Sequence, residues 1–244
     1  MQNKFLYIKE RCKECGGLGY KWSDKRAYRG EEESDPIQCD CLKKIAIYSS
    51  LDAANVPREY FDLTLEDFRP ENPEIAELKN KIKKTNESID SFFNKGKSLF
   101  FYGPNGSGKT MLAVEILKAA SRKKYSIYYD FYPIVFESFN RKGYKSDDVK
   151  NKYDEIFSNV DFLVLDEMGK EFDTPNAERS ASARLLEIHI LKKRGNKPVI
   201  FISNFADAQK EVVSIYGNHV NSMLKMNCKF VQVKQTDYRG KIDA

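Results

Sequence analysis

The chain has 244 residues, which is enough for one large domain or for one domain plus a small module. It is 41% hydrophobic and 32% charged, so we expect a soluble protein with its own core. No apolar run approaches the ~18 residues of a membrane span. The start, Met1-Gln2-Asn3-Lys4-Phe5, lacks the apolar region of a signal peptide, so we expect a cytoplasmic protein without membrane partners. The net charge of +5 permits nucleic-acid contact without requiring it.

Four of the five cysteines lie near the N-terminus, as the pairs Cys12-x-x-Cys15 and Cys39-x-Cys41. Disulfides are rare in the cytoplasm, whereas four thiolates in two close pairs suit a tetrahedral metal, above all Zn²⁺. The polar stretch between the pairs could not form a core alone, so a metal would supply its folding energy. Free or redox-active thiols are the alternative. Cys228 lies in an alternating strand pattern and is predicted to be a small core residue.

A connector follows the cysteines. The pattern predicts a helix over residues 42–54, a break at Pro57, and an amphipathic helix over residues 75–93. We therefore expect two domains: a cysteine-rich module with its helical connector, residues 1–54, and a larger domain, residues 55–244.

A glycine-rich loop carries the first chemical signal. It fits the phosphate-loop pattern G-x-x-x-x-G-K-[ST] at every fixed position, as Gly103-Pro104-Asn105-Gly106-Ser107-Gly108-Lys109-Thr110. The apolar segment 98–102 before it indicates a buried strand, and the segment 111–120 after it contains strong helix formers. In such a loop, successive N–H groups turn towards one point, where the helix start adds its positive dipole end.

The loop predicts a nucleotide site. Lys109 would reach the β- and γ-phosphates, and Thr110 would ligate Mg²⁺. The other loop residues and Met111 complete the predicted nucleotide contacts. A glycine turn before an ordinary helix is the alternative.

Strands and helices alternate after the loop, which predicts a parallel sheet covered on both faces. The segments expected as strands are 98–102, 126–130, 159–167, 198–204 and 228–233. The clearest helix covers residues 177–194, with an apolar side formed by Leu185, Leu186, Ile188, Ile190 and Leu191. The predicted fold class is therefore α/β with a five-stranded parallel sheet between helices.

The third of these strands ends in Asp166-Glu167. Two carboxylates at the end of a buried strand are costly unless something there needs negative charge. Beside a phosphate loop, Asp166 would hold Mg²⁺, and Glu167 would orient and deprotonate the water that attacks the γ-phosphate. Asn204, at the end of the fourth strand, could bind this water or the γ-phosphate. A strand that simply ends in a polar turn is the alternative.

Together these motifs resemble those of the AAA+ ATPases of the DnaC/DnaI helicase-loader and IstB type. The matching segments are the loop at 103–110, Leu163-Val164-Leu165-Asp166-Glu167 and Ile202-Ser203-Asn204. Segments similar to the family's lead-in and close are Asn55-Val56-Pro57-Arg58-Glu59-Tyr60-Phe61, Leu65-Glu66-Asp67-Phe68, Lys197-Pro198 and Asp237-Tyr238-Arg239-Gly240. The cysteine-rich start is similar to the zinc-binding front module of the DnaI-like branch.

The resemblance implies an AAA+ core that binds ATP and Mg²⁺ and delivers the replicative hexameric helicase to single-stranded DNA during replication initiation. The front module would hold the helicase, while the core would contact DNA and other copies of itself. The region expected to contact DNA is 131–153, which contains Phe139, Arg141, Lys142, Tyr144, Lys145, Lys150 and Lys152. A charged surface helix and loop is the alternative there.

One position departs from the family's pattern. In the family, an arginine in the helix after the fourth strand reaches the ATP of a neighbouring subunit, and here Met223 stands at the matching place. Loss of such a group can cost ~10³-fold or more in rate. Lys225, two residues further on, lies on roughly the opposite side of a helix. Arg239 matches the family's second arginine, which would touch the γ-phosphate in cis.

Three functions are therefore open. The first is a helicase-loader ATPase, which the cysteine module favours. The second is a transposition helper of the IstB type. The third is a nucleotide-gated adaptor with negligible turnover, which Met223 favours and Glu167 argues against.

Overall fold

The chain forms two compact units, Met1–Ala53 and Ala54–Ala244. A computed structural model describes residues 5–23, 26–28, 31–140, 146–173 and 178–236. None of the helices in these ranges is long and apolar enough to cross a membrane.

The described part of the first unit contains two helices and two antiparallel pairs of short strands. The helices are α1 (Leu6–Glu10) and α2 (Asp40–Ala53). The strand pairs are β1 (Tyr20–Trp22) with β4 (Pro36–Gln38), and β2 (Arg26–Tyr28) with β3 (Glu31–Glu33). Phe5 and Tyr48 meet edge-on, with 5.7 Å between their ring centroids, and Leu51 is fully buried. The predicted helix before the break is present as α2.

A five-stranded parallel sheet forms the centre of the second unit. Its strands are β5 (Ser98–Tyr102), β6 (Ile127–Phe131), β7 (Phe162–Met168), β8 (Val199–Ser203) and β9 (Cys228–Gln232), in the spatial order β6-β7-β8-β5-β9. Every neighbouring pair is parallel, which confirms the predicted fold class. Because all five strands run in one direction, their carboxyl ends meet at one edge of the sheet.

Helices pack against this sheet. They are α3 (Pro73–Glu87), α4 (Ile89–Asn94), α5 (Lys109–Arg122), α6 (Tyr132–Asn140), α7 (Ser146–Asn159), α8 (Arg179–Arg184) and α9 (Ala208–Asn227). Helix α5 is buried along most of its length, including Glu115 and Lys118, which pair at 2.9 Å. Cys228 is buried at the start of β9, and this burial raises the pKa of its thiol to about 12, so it is a core residue as predicted.

The single helix predicted over residues 75–93 is wrong. Two helices, α3 and α4, meet at Ser88, whose backbone leaves the helical region (φ −117°, ψ 40°). The Ser88 hydroxyl donates to the carbonyl of Lys84 at 2.7 Å. Serine side chains can bond to nearby backbone groups and so interrupt a helix. The spacing of apolar residues, from which the single helix was predicted, does not show this effect.

The helix predicted over 177–194 also differs. Residue 177 lies outside the described ranges, α8 begins at Arg179, and the stretch Leu185–Lys192 is a π-helix. Its wider i→i+5 turn changes which residues share a face. Ile188 is consequently exposed and does not belong to the apolar side, whereas Leu185, Leu186, Ile190 and Leu191 are buried as predicted.

A buried arginine joins three elements at the amino end of the sheet, and its role had no signal in the sequence. Arg194 is 3% exposed, and burial lowers the pKa of its guanidinium to about 9. The guanidinium donates to the backbone carbonyls of Phe157, Val160, Asp161 and Pro198. This clamp lies at the end of the sheet opposite to the carboxyl edge.

Candidate functional site

The glycine-rich loop leaves the carboxyl end of β5 and runs directly into α5. Gly106 and Gly108 have φ of 71° and 86°, values that strain a residue with a Cβ. Gly103 has φ 139°, and a Cβ there would lie 2.5 Å from the carbonyl oxygen of Val233. The loop can therefore keep this backbone path only with glycine at these positions.

Lys109, the first residue of α5, turns its side chain back into the loop. Its Nζ donates to the carbonyls of Gly103 at 2.9 Å and Pro104 at 2.6 Å, and lies 3.4 Å from Ser107 Oγ. The side chain is buried, and a buried ammonium needs such partners. The positive charge is thereby held inside the loop, where an anionic phosphate could take the place of the carbonyls.

Asp166 lies buried near the carboxyl end of β7. One carboxylate oxygen, Oδ2, accepts hydrogen bonds from Thr110 Oγ1 at 2.8 Å and from the Tyr129 hydroxyl at 2.7 Å. The other, Oδ1, accepts from the Glu167 N–H at 2.7 Å. Burial raises the pKa of Asp166, and these hydrogen bonds oppose the rise. The hydroxyl and the carboxylate are oxygen ligands of the kind that Mg²⁺ prefers, so Thr110 and Asp166 fit this ion.

Tyr129 is a site residue that the sequence did not reveal. It lies on β6, which pairs with β7 in the sheet, and its hydroxyl reaches the same oxygen of Asp166 as the Thr110 hydroxyl does. Burial, together with the charge of Asp166, raises the pKa of Tyr129, so the hydroxyl keeps its proton and can donate. The sequence signal that could have identified it is a tyrosine near the carboxyl end of a predicted strand.

Glu167 occupies a bulge in β7. The strand was expected to end at Glu167 but continues to Met168, and the pairing with β8 shifts between Leu165 and Met168. Glu167 has φ 62°, an uncommon value for a residue with a Cβ. Its carboxylate pairs with Lys170 Nζ at 2.6 Å. An apolar run in the sequence predicts a strand but not a bulge within it. The bulge changes the direction of the Glu167 side chain relative to a regular strand.

These residues surround one cavity of about 670 Å³, within the usual range for small-molecule sites. Asn204, which follows β8, lines the cavity, as does Met111. The predicted residues at the cavity are Asn105, Gly106, Gly108, Lys109, Thr110, Met111, Asp166, Glu167 and Asn204. The remaining loop residues, Gly103, Pro104 and Ser107, bind Lys109 from the other side.

The lead-in segment forms a wall of the same cavity that the motifs did not predict. Its lining residues are Pro57, Glu59, Tyr60, Leu63, Asp67, Arg69, Pro70 and Glu71. The segment is joined to α5 because Lys118 donates to the carbonyl of Leu63. The phosphate loop and this wall are therefore connected through the buried helix.

The chain after β9 runs past the phosphate loop. Val233 N–H donates to the carbonyl of Tyr102 at 2.8 Å, and Gln235 Nε2 donates to the carbonyl of Ser107 at 2.9 Å. Thr236 N–H then donates to Glu71, a lining residue, at 2.9 Å. Arg239, predicted to act in cis, lies outside the described residues.

Met223 lies on α9, beyond a break in the helix at Gly217 (φ 86°, ψ 168°). Its side chain is half-buried and packs against the core of the second unit, whereas Lys225 is exposed. Met223 thus packs at the edge of the core, and its side chain carries no charge that could act on a nucleotide.

The region expected to contact DNA is described only in part, because Arg141, Lys142, Tyr144 and Lys145 lie outside the described residues. Phe139 packs against Tyr153, Phe157 and His189, with 4.7 Å between the Phe139 and His189 ring centroids. The Phe139 ring therefore packs within this aromatic cluster. Lys150 is half-buried and Lys152 is exposed.

The four N-terminal cysteines meet in the first unit. All four sulfurs lie within 4.8 Å of one another, and the pairs Cys12–Cys39 and Cys15–Cys41 are each 3.7 Å apart. Disulfide sulfurs would be ~2.05 Å apart, whereas a tetrahedral ion with Zn–S bonds of ~2.3 Å separates its ligands by ~3.8 Å. The donor set and spacing therefore fit Zn²⁺.

Burial and hydrogen bonding give the thiols of this cluster different pKa values. Burial opposes ionisation of Cys15, but the Gly19 N–H and the neighbouring thiols outweigh it and lower its pKa to about 6. Burial raises the pKa of Cys41 to about 12. A bound cation would favour the thiolate forms of Cys15 and Cys41, because metal binding displaces the thiol protons.

The profile of the IstB-like ATP-binding proteins matches residues 49–243. The chain belongs to the IstB-like ATP-binding protein family. This confirms the predicted family and shows that the cavity around the phosphate loop belongs to an ATP-binding domain. No curated protein matches the sequence.

Solved structures resemble this IstB-like protein in fold. The DnaC helicase loader is 22% identical over 73% of this chain and 100% of that chain, with a TM-score of 0.60. DnaI is 19% identical over 76% of this chain and 95% of that chain, with a TM-score of 0.59. The replication initiator DnaA, bound to AMPPCP and single-stranded DNA, is 19% identical over 74% of this chain and 51% of that chain, with a TM-score of 0.52. At these identities the likeness concerns the fold alone.

Replacing Tyr129 by phenylalanine should weaken the use of Mg²⁺, because Asp166 loses a buried donor. We expect the Mg²⁺ concentration for half-maximal ATP hydrolysis to rise about tenfold. Tyr128→Phe is the matched control, since its hydroxyl faces Asp130 at 3.3 Å. An unchanged Mg²⁺ dependence in Tyr129→Phe would contradict a role for this hydroxyl.

Metal analysis of the purified protein should find about one zinc ion per chain, since four thiolates complete a tetrahedral site. Cys12→Ser and Cys39→Ser should each lose the ion. Cys228→Ser should keep it, because Cys228 belongs to the core of the other unit. Zinc content that is unaffected by Cys39→Ser would refute the site.

Proposed function

We propose that this IstB-like protein is an ATP-hydrolysing helicase loader that delivers a replicative DNA helicase to single-stranded DNA during replication initiation. The observation that carries the proposal is the combination of a phosphate-loop unit with a separate four-cysteine unit at its amino end. The fold that it shares with the whole of the solved DnaC helicase-loader chain supports the proposal.

ATP would bind in the cavity with its phosphates in the glycine-rich loop. The loop N–H groups and the start of α5 attract the phosphate oxygens. Lys109 would exchange the carbonyls of Gly103 and Pro104 for the β- and γ-phosphates. Thr110 and Asp166 would hold Mg²⁺, which supplies charge neutralisation on the phosphates when bound. The lead-in wall would close the other side of the nucleotide.

Hydrolysis would use the polar residues at the carboxyl edge of the sheet. Glu167 would orient the attacking water and accept its proton, and Asn204 would hold that water or a γ-phosphate oxygen. Glu167, which occupies the bulge in β7, lines the cavity. Arg239 would neutralise charge on the γ-phosphate in cis.

Turnover would be slow in the isolated protein. Met223 is packed against the core at the position where the family's arginine is expected, so a neighbouring copy offers no guanidinium from that position. An arginine from the helicase or another partner would raise the rate of hydrolysis by ~10³-fold or more. If turnover were negligible even then, ATP would serve only to gate an adaptor.

The first unit would bind the helicase. It exposes Leu18, Tyr20 and Trp22, and the rings of Tyr20 and Trp22 lie edge-on at 6.0 Å between centroids. Tryptophan and tyrosine are enriched among the residues that dominate binding energy at protein interfaces. Single-stranded DNA would bind the second unit, as it does the structurally similar DnaA. ATP-dependent self-association is a further expectation.

A transposition helper is the second candidate, and the family match itself favours it, because the matching profile is that of IstB-like proteins. Such a protein would hold a transposase in place of the helicase. The two candidates share the ATP site and differ in the partner.

A pull-down of the host's replicative helicase separates these candidates. We expect wild-type protein to retain the helicase with ATP, and Glu167→Gln to retain it longer because hydrolysis is lost. Trp22→Ala should lower retention about tenfold or more, while Trp22→Phe, the matched control, should keep most of it.

Two outcomes would count against the loader. One is a failure to retain helicase under any nucleotide condition. The other is retention of a transposase under the same conditions, which would establish the transposition helper. A rate of hydrolysis no higher than that of Glu167→Gln, with single-stranded DNA present, would establish the adaptor.

A further inference from the structure

Another buried carboxylate, that of Glu171, lies just after β7, and the proposed mechanism does not use it. Glu171 is 1% exposed, yet three groups donate to it. Its Oε2 accepts from the Gly169 N–H at 2.8 Å. Its Oε1 accepts from Tyr216 OH at 2.6 Å and from Ser182 Oγ at 2.9 Å. Burial raises the pKa of Glu171, and the hydrogen bonds from Tyr216 and Ser182 oppose the rise.

The three donors come from three different parts of the second unit. Gly169 directly follows β7, two residues after Glu167. Ser182 lies on α8 and is itself bonded to Tyr132, at 3.0 Å between the hydroxyl oxygens. Tyr216 lies on α9, immediately before the break at Gly217. Glu171 therefore joins the turn after the predicted catalytic carboxylate to the helix that carries Met223.

Two side chains hold the backbone just after Glu167. Ser203 Oγ, at the end of β8, donates to the carbonyl of Met168 at 2.6 Å. Glu171 takes the next N–H along the chain, that of Gly169. Gly169 has φ 99°, and a Cβ there would lie 2.5 Å from the Phe205 ring. Met168 and Gly169, the two residues that follow Glu167, are therefore both held by side chains, directly after the residue with the unusual φ of 62°.

Burying a carboxylate is a costly way to fill a core, because apolar side chains of similar volume often stabilise as well or better. A buried carboxylate with several donors does, however, define positions more narrowly than apolar packing does. Its location next to the bulge indicates that it serves the geometry of Glu167.

We propose that Glu171 is a positioning residue for ATP hydrolysis: through Gly169 it fixes the bulge that aims Glu167, and through Tyr216 it couples this bulge to α9. The inference rests on the proposed hydrolytic role of Glu167. ATP binding is independent of it, because Lys109 and the phosphate loop are held by other contacts.

Tyr216→Phe tests the proposal with least disturbance, since it removes one hydroxyl and keeps the ring. We expect kcat to fall at least about fivefold, because small displacements of a reacting group are costly. KM and the Kd of a non-hydrolysable ATP analogue should stay within about twofold. Glu171→Gln should show the same split more strongly. Tyr128→Phe is the matched control, because its hydroxyl also faces a buried carboxylate, that of Asp130.

Amide hydrogen exchange gives a readout that needs no turnover. The Gly169 amide should exchange about tenfold faster or more in Tyr216→Phe than in Tyr128→Phe, while the amides of α5 stay unchanged. A kcat that falls no further in Tyr216→Phe than in Tyr128→Phe would overturn the proposal. If the wild-type protein did not hydrolyse ATP, the proposed function would fail, and unchanged exchange at Gly169 would separately overturn the positioning role.

Discussion

The buried carboxylate of Asp166 is the constraint around which the site is built. A charge so deep in the protein costs on the order of several kcal/mol unless donors surround it. Here Thr110 from α5 and Tyr129 from β6 donate to the same carboxylate oxygen. Helix α5, β6 and β7 are therefore connected at one point. The burial that raises the pKa of Asp166 also makes the site receptive to a cation. The same arrangement therefore gathers Thr110 and Tyr129 around one oxygen of Asp166, and a bound cation would offset the cost of burying that charge.

The sequence predicted the parts of this site that depend on local pattern. The strand before the loop was predicted with its observed bounds, and the five-stranded parallel sheet followed from the alternation of strands and helices. Tyr129 and Glu171 escaped prediction because their roles depend on contacts between elements far apart in the chain. The exposure of Ile188 was mispredicted because a π-helix does not follow the 3.6-residue repeat.

The division into two units fits a protein that holds a partner with one part and binds ATP with the other. The first unit contains a cysteine cluster and exposed aromatic side chains, and the second contains the ATP site. A loader needs to hold one partner and to release it when the nucleotide state changes. In the second unit, the buried contact between Glu171 and Tyr216 gives the hydrolysis site a physical connection to α9. The methionine at position 223 means that any charge supplied to the nucleotide from another molecule comes from a different residue.

The most direct test of the central claim is the equilibrium binding of a non-hydrolysable ATP analogue, measured by calorimetry with and without Mg²⁺. The account predicts binding by the wild-type protein, and a loss of about 30-fold or more in Lys109→Ala, because a charge-assisted contact to phosphate is removed. Lys123→Ala, on the exposed side just after the same helix, should bind normally. Equal affinity of Lys109→Ala and wild type, or no binding by the wild type, would contradict the assignment of this cavity to ATP.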